Sequence, residues 1–385
     1  MPNSKSNEKM TNDQFRASVQ DVLEHNILHF WQTRMVDTEH GGFYGRIDGH
    51  NTLHPDAPKG AVLNARILWT FAAAARVLHN TPYRILAARA YDYLMQRFID
   101  RECGGVYWSL NADGTPLDTH KQIYAQSFAL YGLAEYVRLT GNNAALQAAI
   151  DLFFLIEKHG RDRAFGGYTE ATTRDWQPLE DMRLSEKDEN TVKSQNTNLH
   201  VLEAYTNLYR VWPTDELKAA LNALIDTFET RIILSSGHLG LFFDMQWNPT
   251  NNHFSAGHDI ECSWLLKEAA DVIGRNCNAT VYRLAKAACE QLHPDGSLGE
   301  LDWWTQAETV VGFVNQWQMT NDQLQMTHAL RAFDYIQTRL VDREHGEWYW
   351  GILPDGTPDT DNDKAGFWKC PYHNSRMCLE LIERL

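Results

Sequence analysis

The sequence predicts an all-α fold, an (α/α)6 toroid (barrel) of six helical hairpins with short β-hairpins and loops at one end. Three observations carry that expectation. Twelve stretches repeat apolar residues at helical spacing. A glycine-rich, mostly aromatic signal closes each pair, from Gly41-Gly42-Phe43-Tyr44 through Gly104-Gly105-Val106-Tyr107-Trp108 and Gly166-Gly167-Tyr168 to Gly346-Glu347-Trp348-Tyr349-Trp350. A repeat of this kind means units that must stack to bury their faces. The first and last helices are as apolar as the others, where an open solenoid would carry polar caps.

In chain order, residues 1–11 are polar and read as a flexible tail, and 12–385 as one domain, because no Pro/Gly/Ser-rich linker divides it. The first helix covers 12–35, with Phe15, Val19, Val22, Leu23, Ile27, Phe30 and Trp31 in period. Helices over 64–78 and 83–98 follow, then 122–139 with 143–159, and 198–211 with 215–232. The chain continues with 258–273 and 279–292, then 304–319 and 321–339, and ends in 372–382.

Composition narrows the function. Hydrophobic residues make up 43% and charged residues 22%, enough for a large core. A formal net charge of -15 argues against nucleic acid as a partner, since no basic surplus exists to neutralise phosphates. The 13 tryptophans suit either a sugar cleft or a large helical core. Six cysteines show no paired framework, the N-terminus lacks an apolar signal region, and no stretch is expected to reach the length of a membrane span. A cytoplasmic protein is the expectation.

In a ring, every second helix faces inward. The inner helices begin near 64, 122, 197, 258, 304 and 372 and run parallel, so their first turns meet at one end. Those turns carry Asn64 and Arg66; Gln122, Tyr124 and Gln126; Asn196, Asn198 and His200; His258 and Glu261; Trp303, Trp304, Gln306 and Glu308; His373, Asn374 and Arg376. One polar helix start is a cap. Six around one funnel form a site. Helix N-termini keep nearby imidazoles neutral, and a neutral imidazole accepts a proton near pH 7. Two such bases across a substrate suit proton removal on one face and return on the other, with Arg66 stabilising an enediolate oxygen. Glu261, one helical turn from His258, reads as its partner.

Other readings of the same residues stay open. A glycosidase would need two facing carboxyl groups, for which Glu261 and Glu308 are the candidates. His200, His258 and His373 could ligate a metal, although no HxxxH or HxH pair supplies two from one element. His200 could be a hydrogen-bonded core histidine, Trp303 and Trp304 could be packing, and Arg376 reads as a brace for Glu261 or another buried acid.

The stretch Gly257-His258-Asp259-Ile260-Glu261 through Trp264-Leu265-Leu266 resembles the signature of the N-acylglucosamine 2-epimerase superfamily. Lys369-Cys370-Pro371-Tyr372-His373-Asn374-Ser375-Arg376 is similar to the C-terminal motif of its cellobiose 2-epimerase branch. So are Asn196-Thr197-Asn198-Leu199-His200 and Trp303-Trp304-Thr305-Gln306-Ala307-Glu308. The resemblance implies an (α/α)6 barrel and a cofactor-free, metal-free, reversible epimerisation at C2 of the reducing-end sugar of β-1,4-linked disaccharides such as cellobiose, lactose or mannobiose. A mannobiose-preferring enzyme or an aldose–ketose isomerase on the same scaffold is the alternative. It further implies His258 and His373 as the acid/base pair, Arg66 and His200 on the enediolate oxygens, and Glu261 orienting His258. Tyr124, Asn196, Trp303, Trp304, Glu308 and Trp368 would contact the sugar rings. Monomers and homodimers both occur in the superfamily. Two positions, Cys262 and Thr305, depart from its pattern, and neither carries a proton in this scheme.

Overall fold

A computed structural model describes residues 10–385. Twelve helices alternate between an outer and an inner ring. They are α1 (12–34), α2 (Ala61–Leu78), α3 (81–98), α4 (Ile123–Thr140), α5 (Asn143–His159), α6 (Gln195–Tyr209), α7 (215–232), α8 (Ala256–Ile273), α9 (278–291), α10 (Trp303–Thr320), α11 (323–340) and α12 (His373–Arg384). Even-numbered helices form the inner ring: each packs on the next, and α12 returns to pack on α2, which closes the toroid. The main hydrophobic core runs through it from Phe15 to Ile382, and a small second cluster gathers Ala256, Ile260, Ala285, Ala288 and Leu298.

Two expectations need correcting. Most of the expected tail lies outside the described residues, but Thr11 is already structural, its side chain accepting from the Gln14 backbone N–H as the N-cap of α1. And α2 is long and apolar enough to cross a membrane, contrary to the reading that no stretch is. Its apolarity has another cause: 83% of it is buried inside the ring, because an inner helix meets protein on every side.

The glycine-rich signals are tight turns at the ends of the outer helices. Each is closed by one antiparallel bridge: Val36 with Phe43, Ile99 with Val106, Arg161 with Tyr168, Ile233 with Leu239, Leu292 with Leu298, and Val341 with Trp348. The second glycine is required at Gly105, whose φ is 73°. A Cβ there would sit 2.7 Å from Oε1 of Gln126. At the sixth turn a glutamate takes that position: Glu347 has φ 62°. It is held there by N–H groups of Trp31 at 2.6 Å, Lys369 at 2.9 Å and Asn374 at 2.6 Å, tying the last hairpin to the first helix.

Four turns also share a bracket. Asp37, Asp100, Asp162 and Asp342 each accept two backbone N–H groups of their own turn and a buried lysine from further along the chain: Lys59 at 2.6 Å, Lys121 at 2.9 Å, Lys193 at 2.7 Å, and Lys364. The fourth and fifth turns, beside α8 and α10, begin with Leu234 and His293 in place of the aspartate. There His238 Nδ1 bonds Asp259 of α8 at 2.6 Å instead.

Candidate active site

The N-terminal turns of the inner helices surround a cavity of about 500 Å³. Arg66 enters it from α2, Tyr124 from α4, Asn196 and His200 from α6, His258 and Glu261 from α8, Trp303 and Trp304 from α10, and His373 from α12, with Trp368 just before α12. A neighbouring chamber of about 540 Å³ shares His258, Asn196 and Trp304 with it. Trp304 stands between the two histidines, its ring centre 4.7 Å from His258 and 5.7 Å from His373.

Of the residues expected to act on or contact the sugar, Glu308 alone lies outside the cavity lining. It sits behind His373 and accepts from His373 Nδ1 at 2.7 Å, Arg376 Nη2 at 2.6 Å and Trp264 Nε1 at 2.9 Å. The expected sugar contact is therefore a buried brace. Because the Glu308 carboxylate accepts at Nδ1, that nitrogen of His373 carries the hydrogen, and the Nε2 lone pair is left to act as a base.

Glu261 does not orient His258, as expected from their spacing. Its Oε1 accepts from Arg376 Nη2 at 2.7 Å, while the buried Nδ1 of His258 has no hydrogen-bond partner. The i, i+3 spacing places the two groups on one face but does not make them meet; the guanidinium from α12 is the stronger partner. Arg376 is indeed a brace, as read from sequence, and also donates to Glu203 and to the Tyr372 hydroxyl. His200 is held by Glu203, Nδ1 to Oε2 at 2.8 Å.

Arg66 lies on the opposite side, its guanidinium carbon 4.1 Å from the ring centre of Phe128 and 4.5 Å from that of Tyr372. It donates to the Tyr124 hydroxyl at 2.9 Å and to Cys370 Sγ at 3.5 Å, while its buried Nε has no partner. Trp303 is buried at the cavity wall, its ring centre 4.4 Å from that of Trp350. Trp304 and Trp368 line the cavity and are only partly buried.

Other polar residues in these first turns point elsewhere. Gln126, Asn198 and Gln306 each bond both the N–H and the C=O of Val106, Tyr168 and Leu298, fastening an adjacent turn. The first turn of an inner helix thus has a face for the turn and a face for the cavity.

Burial sets the protonation of the histidines. It pushes His258 down to about 3, with His200 adding to the effect. Burial, then Arg66 and Arg376, hold His373 well below the usual imidazole range. His200 is lowered by burial against the pull of Glu203. The imidazoles are neutral as expected, but desolvation rather than the helix N-terminus is the main cause.

The two carboxyl groups of the glycosidase reading, Glu261 and Glu308, come together at the cavity wall. Glu261, Glu308 and His373 place one ligand atom each within 4.8 Å of one another. Arg376 donates to both carboxylates, so the pair neutralises a guanidinium from one side rather than flanking a glycosidic bond or enclosing a cation.

Sequence reasoning missed the loop 173–192, which brings Leu184 to Asp188 to the cavity mouth. Gln122 Nε2 pins it by donating to the carbonyl of Arg183 at 2.9 Å. Trp350 of the sixth turn and Glu203 behind His200 were missed as well. Loop residues carry no periodicity, but the acid three residues after His200 was a readable signal.

The model of the family described as N-acylglucosamine 2-epimerase (GlcNAc 2-epimerase) matches residues 41–376. The chain belongs to this family. It is 49% identical to a cellobiose 2-epimerase of Bacteroides fragilis, an alignment covering 95% of this chain and 98% of that one. The solved structure of a cellobiose 2-epimerase from Bacillus thermoamylovorans B4167 superposes with a TM-score of 0.93 at 40% identity, over 97% of this chain and 100% of that one. A D-mannose isomerase structure, at 20% identity and a TM-score of 0.83, shares the fold. The (α/α)6 toroid and the family resemblance read from sequence both hold.

Proposed function

We propose that this family member is a carbohydrate 2-epimerase of the cellobiose 2-epimerase type, which reversibly inverts C2 of the reducing-end sugar of a β-1,4-linked disaccharide. The observation that carries the reading is a pair of neutral histidines facing one cavity, the buried His373 and the half-buried His258, on two inner helices with Trp304 between them. One takes the C2 proton from one face of the opened sugar, and the other returns a proton to the opposite face of the cis-enediolate. Arg66, which cannot act as a base, stabilises the oxyanion together with His200. Tyr124 and Asn196 hydrogen-bond the sugar, and Trp304 and Trp368 stack on its rings.

The identity to the Bacteroides fragilis enzyme favours cellobiose as the first substrate to test; lactose and mannobiose are the next. Six unpaired thiols favour a reducing compartment, and we place the enzyme in the cytoplasm. The test is incubation with cellobiose in heavy water, read by proton NMR and sugar chromatography. Glucosyl-mannose with deuterium at C2 and no free glucose is the expected result. A ketose as the main product would move the reading to aldose–ketose isomerisation, and free glucose would overturn it.

A further inference from the structure

We propose that Glu261 works as a neutral acid, its carboxyl O–H donating a hydrogen bond to the enediolate while Glu308 stays ionised behind His373. The inference rests on the epimerase reading above.

Glu203, Glu261 and Glu308 all converge on Arg376, and all four residues are buried. With Arg66 added, three carboxylates face two guanidinium groups among histidines that are neutral. A surplus buried charge costs far more than a bound proton, so one carboxyl is protonated.

The hydrogen-bond donors decide which. Glu203 is met by Arg376, His200 and Tyr372. Glu308 is met by Arg376, His373 and Trp264. Glu261 has one donor, Arg376 Nη2 on Oε1, and its second oxygen has no protein donor among the described residues. A carboxylate held by several donors keeps its charge; the one with a single donor is the first to take the proton. Burial and the neighbouring Glu308 push Glu261 up to about 8, whereas Arg376 and His200, against burial, hold Glu203 down at about 2. Burial raises Glu308 as well, against Arg376, and the three donors on Glu308 against the one on Glu261 decide which of the two takes the proton.

The groups that face Glu261 are Arg66 from α2, Tyr124 from α4, Glu203 and His200 from α6, Glu308 from α10, and Tyr372, His373 and Arg376 from α12, with His258 on α8 itself. Of the three carboxyl groups, Glu261 alone lines the cavity, and an ionised carboxylate there would repel an enediolate. A neutral O–H stabilises it, and the proton stays on Glu261 throughout, as with other buried acids kept neutral to donate.

The test compares wild type with E261Q and E261A on cellobiose from neutral to alkaline pH. An amide N–H replaces the O–H, so E261Q is expected to keep kcat within about tenfold and E261A to lose about 10²–10³-fold. Wild-type kcat is expected to fall as pH passes about 8, and E261Q to lack that limb. An E261Q as inactive as E261A, or one sharing the wild-type alkaline limb, overturns the proposal. Infrared difference spectra of the substrate-free proteins give a second readout. A protonated-carboxyl band present in wild type at neutral pH and missing in E261Q supports the proposal, and its absence from wild type overturns it. Because that band is read without substrate, it separates failure of this proposal from failure of the epimerase reading.

Discussion

His373 and His258 face one cavity from two inner helices, yet they are held in different ways. His373 is fixed by a polar relay: Nδ1 to Glu308 at 2.7 Å, and Glu308 to Arg376 at 2.6 Å. His258 has no side-chain partner at Nδ1. Its place is set by the backbone and by packing. The Ser255 hydroxyl caps its N–H at 3.4 Å, Trp304 lies against its ring, and the adjacent Asp259 is tied to His238 at 2.6 Å and to the Leu239 N–H at 2.8 Å. The difference teaches that one wall is built to hold a single tautomer and the other leaves its tautomer free. A histidine with a free tautomer suits more than one proton transfer.

The largest effect is expected from removing either base. His258→Ala and His373→Ala should each cut the epimerisation rate about 10³–10⁴-fold. Glu308→Gln should separate the walls: the amide can no longer hold His373 as an ionised acceptor, and kcat should fall about 10²-fold with KM little changed. Equal damage to the His258 half-reaction in that variant would show that the two walls are not independent.

A smaller difference should appear in stability against pH. His258 has a folded pKa of about 3 against an ordinary 6.5. Between those values the unfolded chain binds a proton that the folded one does not, so stability falls as pH drops from 6.5 toward 3. His258→Leu should flatten that fall by ~1–3 kcal/mol in urea unfolding, a range set below the full shift because the residue is partly exposed. The smallest effect on turnover belongs to the brackets, none of whose residues lines the cavity. Lys59→Met leaves Asp37 buried without its cation and should cost about 3–5 kcal/mol of stability. At temperatures where it stays folded, its kcat should match wild type. A bracket variant with a changed pH–rate profile would contradict the separation of scaffold from site.

Much of this was readable before the structure. Twelve helices, the Gly-Gly turns and the polar inner starts follow from period and composition, and Arg66, His200, His258 and His373 do meet in one cavity. What sequence spacing could not settle is partner choice across helices. Glu261 lies one turn from His258 but bonds Arg376, 115 residues away. Glu308 serves His373, 65 residues on. Only the closed ring brings these groups together, and a polar residue such as Gln126 or Asn198 does not reveal from sequence which of its two faces it serves. The apolar length of α2 was underrated, because burial inside the ring makes an inner helix as apolar as a membrane span.

In the proposed mechanism each histidine serves one face of C2. The measurement is deuterium incorporation at C2 by the two single-histidine variants, each given cellobiose and glucosyl-mannose separately in heavy water and read by NMR. Slow exchange into one epimer by His258→Ala and into the other by His373→Ala, without inversion in either, is the predicted result. Exchange of both epimers by the same variant would mean that one base reaches both faces, and the two-wall account would be wrong.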